Sequence, residues 1–257
     1  MHSIMKRILT AVLVALCAVA CAKHEIEVED VEYTYATALE EGGADSLEIE
    51  ISLEWPVRGL PPVALENIQY GVAGFIFGKE LANTNIQKTI EGYVERESNI
   101  YRQCCVDFRK MLDENDENCS QGMFSWSRVL EGHFLEPYND MQSYLIYTYG
   151  YAGGAHGMDY EKGMTFSLSN GELITEADLF EREYKPELSK ILTAHLPESV
   201  SKEVYDMLFI KSIEPNGNFY IDEDGITYVY ERYEIGPYAS GLVKVSVPWS
   251  ELQSILK

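Results

Sequence analysis

Positive charge is scarce in this chain. Across 257 residues, 20 Lys+Arg stand against 42 Asp+Glu, a net charge of −22. Binding a polyanion requires a basic face from which counterions are released, so nucleic acid is excluded as a partner. An acidic surface suits a cationic partner, or simply solubility. Long apolar runs are scarce too: beyond the N-terminus, nothing approaches the roughly 20 apolar residues of a membrane-spanning helix. HExxH, GxSxG, a P-loop and a GxGxxG before a helix are all absent, which removes motif-level support for a protease, lipase, nucleotide enzyme or dehydrogenase. There is no CxxC pair, and no histidine lies close in sequence to Cys104, Cys105 or Cys119, so no zinc site is expected there; no cofactor is expected. Disorder is excluded as a whole-chain reading, because 46% hydrophobic and 24% charged residues are ordinary for a packed protein. The length suits one large domain or two small ones.

The first residues, MHSIMKRILTAVLVALCAVAC, place Lys6 and Arg7 before an apolar run from Ile8 to Val19. That run is too short to span a bilayer and has the pattern of an export signal. Its end, Ala18-Val19-Ala20-Cys21, resembles a lipobox, with small residues before a cysteine and alanine where leucine is commoner. Residues 1–20 are therefore expected to be a cleaved signal and Cys21 a lipid-attachment site. The expected location is the bacterial cell envelope, on the periplasmic face or the cell surface, with membrane contact through the lipid alone. Cleavage removes Lys6 and Arg7 and leaves the remainder still more acidic.

Cys104, Cys105 and Cys119 lie beyond the anchor. In an oxidising compartment, a bridge from Cys104 or Cys105 to Cys119 is expected; it closes a loop of about 15 residues and contributes roughly 3 kcal/mol.

Leu47, Ile49, Ile51, Leu53 and Trp55 alternate with Glu48, Glu50, Ser52 and Glu54, as a half-buried strand with an acidic wet face does. Glu25 to Tyr35 reads as its antiparallel mate, with a bulge near Asp30. After Pro61 and Pro62, Leu65, Ile68, Val72 and Phe75 share a helical face. A longer helix follows through Ile86, Ile90, Tyr93, Ile100, Tyr101, Cys104, Phe108 and Leu112. Phe124–Leu135, Ser143–Tyr151 and Met164–Leu168 read as consecutive antiparallel strands, with turns at Pro137–Asp140 and around Gly153–Lys162. Thr175 and Asp178 have capping-box spacing at the start of a short helix. Helices over Lys185–His195 and Ser199–Ile210 precede strands at Phe219–Ile221, Ile226–Tyr230 and Val243–Val247, and Pro248–Leu256 reads as a terminal helix. Strands and helices occur in runs, so the predicted class is α+β, mainly antiparallel, in two small subdomains divided at residues 122/123.

His156 sits in Gly153-Gly154-Ala155-His156-Gly157, just after the strand ending at Tyr151. The glycines allow tight turns and close approach. The imidazole could act as a base or contact with Asp159 as partner, or serve structurally by bonding neighbouring backbone, the commoner arrangement. Tyr147, Tyr149 and Tyr151 share one strand face, which suits either stacking on a ligand or sheet packing.

The stretch Tyr149–Gly157, followed by Met164-Thr165-Phe166-Ser167-Leu168-Ser169-Asn170-Gly171-Glu172-Leu173 and Asp178-Leu179-Phe180, is similar to the extracytoplasmic domain of RsiV-type anti-sigma factors. So is Tyr233-Glu234-Ile235-Gly236-Pro237-Tyr238-Ala239-Ser240-Gly241, leading to Val245-Ser246-Val247-Pro248. The resemblance covers about residues 123–257, and residues 21–122 resemble the smaller domain that accompanies it. This domain also occurs beside peptidoglycan deacetylases and in uncharacterised lipoproteins. The resemblance implies an α/β or α+β ectodomain without established catalytic residues, used in the best-understood member to bind lysozyme. The sigma-binding segment and membrane helix of those proteins have no counterpart here, so signalling is not implied. The expectation is a non-enzymatic envelope lipoprotein that binds a basic protein such as lysozyme or a wall fragment, with His156, Tyr151 and Tyr238 as candidate contacts. The alternative is a hydrolase or deacetylase acting on cell-wall glycan or peptide around His156.

Overall fold

The alternating stretch around Ile51 forms the long strand β2 (Ser46–Arg58), whose Leu47, Ile49, Ile51, Leu53 and Trp55 are all buried. The computed structural model describes residues 25–41, 43, 45–111 and 123–257. Cys21, Cys119 and the signal at residues 1–20 lie outside these residues. Neither Cys104 nor Cys105 is bridged to a described residue.

β1 (Glu27–Ala38) pairs antiparallel with β2, as the sequence predicts. The register irregularity lies between Glu27 and Val28 rather than near Asp30. From Val28 onward the pairing is regular, and the change of apolar phase is absorbed by leaving Val28 exposed. Two helices follow, α1 (Pro62–Phe77) and α2 (Ile86–Met111), and the chain then returns as β3 (Trp126–Phe134). β3 lies parallel to β2, a pairing that local patterning does not reveal. β4 (Met141–Ala152) and β5 (Met158–Ser167) add antiparallel strands, giving a sheet of order β1-β2-β3-β4-β5. The 122/123 division thus lies between strands of one sheet.

The helices cover one sheet face, with shifts from the predicted contacts. On α1 the buried set is Ala64, Ile68, Val72, Ala73 and Phe77, while Phe75 is exposed beneath the Lys162 ammonium, 4.6 Å from its ring centroid. Phe77 takes the core position because its ring packs edge-on against Tyr93. On α2, Tyr101 and Cys105 are buried and Ile100, Cys104 and Phe108 are exposed. Two neighbouring helical phases are both apolar there. The Tyr101 hydroxyl selects one of them by donating to the Phe124 carbonyl at 2.8 Å.

The turn before β5 is tighter than predicted, since the strand begins at Met158. A capping box joins Thr175 and Asp178 ahead of α3 (Glu176–Leu179). α4 (Lys185–Ser199) continues past His195 with Pro197 in its last turn, and the Ser199 hydroxyl donates to the His195 carbonyl at 2.9 Å. α5 (Lys202–Met207) is capped by Ser201. β6 (Phe219–Ile221), β7 (Gly225–Tyr230) and β8 (Val243–Pro248) form an antiparallel three-stranded sheet. Its core packs Val243, Val245 and Val247 with Leu188, Leu192 and Leu196, which recur every four residues along α4. α6 (Trp249–Leu252) is one turn long, and beyond it Leu256 bridges to Phe180. The class is α+β, as the sequence predicts. No helix among the described residues is long and apolar enough to cross a membrane.

Candidate functional site

The outer face of the larger sheet follows directly from its register. Side chains alternate along each strand, so paired positions form rows across the sheet. One row reads Glu32, Ser52, Glu131, Tyr147, Glu161, and the next Thr34, Glu50, Val129, Tyr149, Asp159. A third runs Ala36, Glu48, Ser127, Tyr151. Asp30 and Glu54 pair at the other end. No lysine or arginine occupies any of these positions. The wet side of the sheet therefore carries carboxylates among small and polar residues on β1–β3, and tyrosine on β4.

Two loops close over the tyrosine side. In the first, β4 ends at Ala152, Gly153 and Gly154 turn with φ of 82° and 95°, and the Tyr151 hydroxyl donates to the Gly154 carbonyl at 3.0 Å. Gly157 then lies so close to Tyr149 that a Cβ would stand 2.4 Å from its ring. Only a residue without a side chain permits that approach. The second loop follows β7 and ends in a single 3₁₀ turn at Tyr238–Ser240. Tyr238 reaches across to donate its hydroxyl to the Gly157 carbonyl at 3.0 Å. The His156 and Tyr238 rings stack with centroids 3.9 Å apart and planes 26° apart.

Arg232 holds this arrangement. Its guanidinium grips Asp159 with two hydrogen bonds, donates to the Tyr238 carbonyl at 2.6 Å, and lies 4.4 Å from the Tyr238 ring centroid. The Arg232 hydrogen bonds hold the Asp159 carboxyl below the usual carboxylate range, and the same bonds raise the guanidinium. Tyr233, with φ 68° and 53% exposure, extends the aromatic surface 5.9 Å from Tyr238.

The structure therefore brings His156 and Tyr238 into contact and sets Tyr151 at the root of the same loop. No hydrogen bond joins His156 to Asp159, which the sequence reading offers as its partner and which is engaged by Arg232 instead. The exposed imidazole donates from Nδ1 to the Gly157 carbonyl at 3.0 Å, its one hydrogen bond to the described residues. Arg232 is the residue that sequence reasoning misses, because nothing local distinguishes it; it lies 73 positions from Asp159. Cavities of about 310 Å³ beside Cys105 and Trp126 and of about 380 Å³ beside Glu176 and Phe219 lie elsewhere, lined by none of His156, Tyr151 and Tyr238. No group of metal-ligating side chains occurs among the described residues.

No curated protein matches the chain. A solved member of the DUF3298 family from Bacteroides fragilis is similar in structure, with a TM-score of 0.80 and 24% identity, over 90% of this chain and 94% of that one. A DUF3298 family protein from Pseudomonas aeruginosa aligns with a TM-score of 0.62 and 13% identity, over 91% of this chain and 95% of that one. Residues 177–250, which include Arg232 and Tyr238 and stop short of His156, match the family model described as "Protein of unknown function (DUF3298)".

Proposed function

We propose that this chain is a lipid-anchored, non-enzymatic protein of the cell envelope that binds a cationic protein, of which a basic lysozyme is the sharpest candidate. The observation that carries the reading is the outer sheet face, where Tyr147 pairs beside Glu131, and Tyr149 and Tyr151 share rows with Glu50 and Glu48 across Val129 and Ser127, with no basic residue in the rows. Tyrosine gives rigid contact area at low entropic cost. The carboxylates steer a basic partner and set its orientation. His156, Tyr233 and Tyr238 extend the aromatic surface at one corner. The resemblance to RsiV-type ectodomains supports the same partner class, and the lipobox-like Cys21 supports the anchor.

The engagement of Asp159 by Arg232 weighs against acid–base chemistry at His156, which hydrogen-bonds no carboxylate among the described residues. Calorimetry of the purified chain with a basic lysozyme, at low and at moderate salt, tests the proposal. Tight binding that survives moderate salt supports a shaped interface. Binding that vanishes with salt reduces the effect to general charge attraction, and no binding at either salt overturns the lysozyme reading.

A further inference from the structure

The two sheets meet along the free edge of β5, and no strand of the smaller sheet continues it. The Asn218 amide spans the edge instead: Nδ2 donates to the Glu161 carbonyl at 2.9 Å and Oδ1 accepts from the Gly163 N–H at 3.1 Å. Beside it, the Glu231 carboxyl reaches the same amide, its Oε1 3.5 Å from Asn218 Nδ2. Further along, the backbone of Glu172 and Ile174 covers Ser167 and Thr165. Glu231 therefore sits at the β5 edge as a carboxyl, against the amide that spans it.

Its surroundings are unfavourable to charge. Glu231 Oε2 is shut off from solvent with no hydrogen-bond partner among the described residues. Asp159 and Glu161 face it from β5 and Glu234 from its own turn. The nearby cations are engaged elsewhere, Arg232 with Asp159 and Lys244 of β8 with Glu161 at 2.6 Å. Glu234 in turn accepts from the Glu231 N–H at 2.7 Å and from Asn216 at 2.8 Å. Burial, and then these carboxylates, push the Glu231 carboxyl up to about 7.

We infer that Glu231 is a proton-dependent latch between the two sheets. Neutral, it seats the 231–241 loop on the β5 edge. Ionised, it loosens that contact, and with it the hold of Arg232 on Tyr238 next door. The folded-state value lies above the ordinary carboxylate value, so the contribution is complete at acid pH and declines as pH rises through about 7. The latch belongs to the free chain and requires no ligand, so it stands or falls separately from the proposed function.

Hydrogen exchange of the full chain, followed from about pH 5.5 to about pH 8.5 and corrected for intrinsic chemistry, tests it. In the wild type, peptides over 158–164 and 231–241 should lose protection on the order of tenfold across that range. Glu231→Gln, neutral at every pH, should hold their protection constant. Protection that is flat in the wild type, or that still varies with pH in Glu231→Gln, overturns the latch. A carbon-detected titration of the wild-type Glu231 carboxyl gives an independent reading. A midpoint near neutrality supports the latch, and one near the ordinary value of about 4.3 overturns it.

Discussion

Arg232 and Asp159 meet fork to fork across the junction of the two sheets, both side chains more than four-fifths buried. Arg232→Lys keeps the charge and loses the planar fork, the second hydrogen bond to Asp159 and the flat contact with Tyr238. Urea denaturation should show a loss of about 1–2 kcal/mol, with faster exchange in the 231–241 loop. A variant as stable and as protected as the wild type would refute this role.

Because Arg232 lowers the Asp159 carboxyl, the pair stabilises the fold above the ordinary carboxylate value and loses that effect as pH falls through the lowered folded-state value. Asp159→Asn should therefore lower the melting temperature at neutral pH and approach the wild type in strong acid. A constant gap at every pH would assign the loss to packing instead of charge.

Gly157→Ala places a methyl against the end of the Tyr149 ring, 2.4 Å from it unless the loop or the ring shifts. Overpacking of this kind costs about 1–3 kcal/mol. Tyr149→Ala should relieve most of it in the double variant, so the two changes combine to less than their sum. Strict additivity would show that the clash is relaxed elsewhere.

Asn218→Ala exposes the Glu161 carbonyl and the Gly163 N–H on an edge strand at once. Two buried backbone groups left unpaired cost about 2–4 kcal/mol. An unpaired edge also recruits other chains, so light scattering should show self-association. A stable, monodisperse variant would mean that water satisfies the edge.

Glu48→Gln, Glu50→Gln and Glu131→Gln together remove charge from the sheet face without touching its core. If a basic lysozyme binds there, association slows and its salt dependence flattens, whereas Tyr238→Ala chiefly speeds dissociation. Unchanged kinetics in both variants would move the interface off this face.

Much of the fold is legible in the sequence because period-two and helical patterns are local. β2 announces itself through five alternating apolar residues, and the Thr175–Asp178 capping box through its spacing. What is missed is long-range or a matter of phase. The parallel register of β3 beside β2 joins Leu47 to Trp126 across two intervening helices. Cys105 enters the core where Cys104 would fit the apolar count equally well. At the candidate site, the glycines around His156 and the aromatic Tyr238 stand out in sequence. Arg232 and Glu231 do not, since their significance arises only when β5 is brought alongside the end of β7.

The parallel β2–β3 seam has a consequence for how the chain acquires its structure. β1 and β2 can pair as soon as both have emerged, yet the other edge of β2, the backbone from Leu47 to Leu53, waits for a strand made after α1 and α2. Contacts so distant in sequence form slowly. During that interval the nascent sheet presents an unpaired backbone edge beside an apolar face, the kind of surface on which chains cross-associate. Ending the chain between α2 and β3 would make that transient state permanent, so such a fragment should accumulate as aggregate.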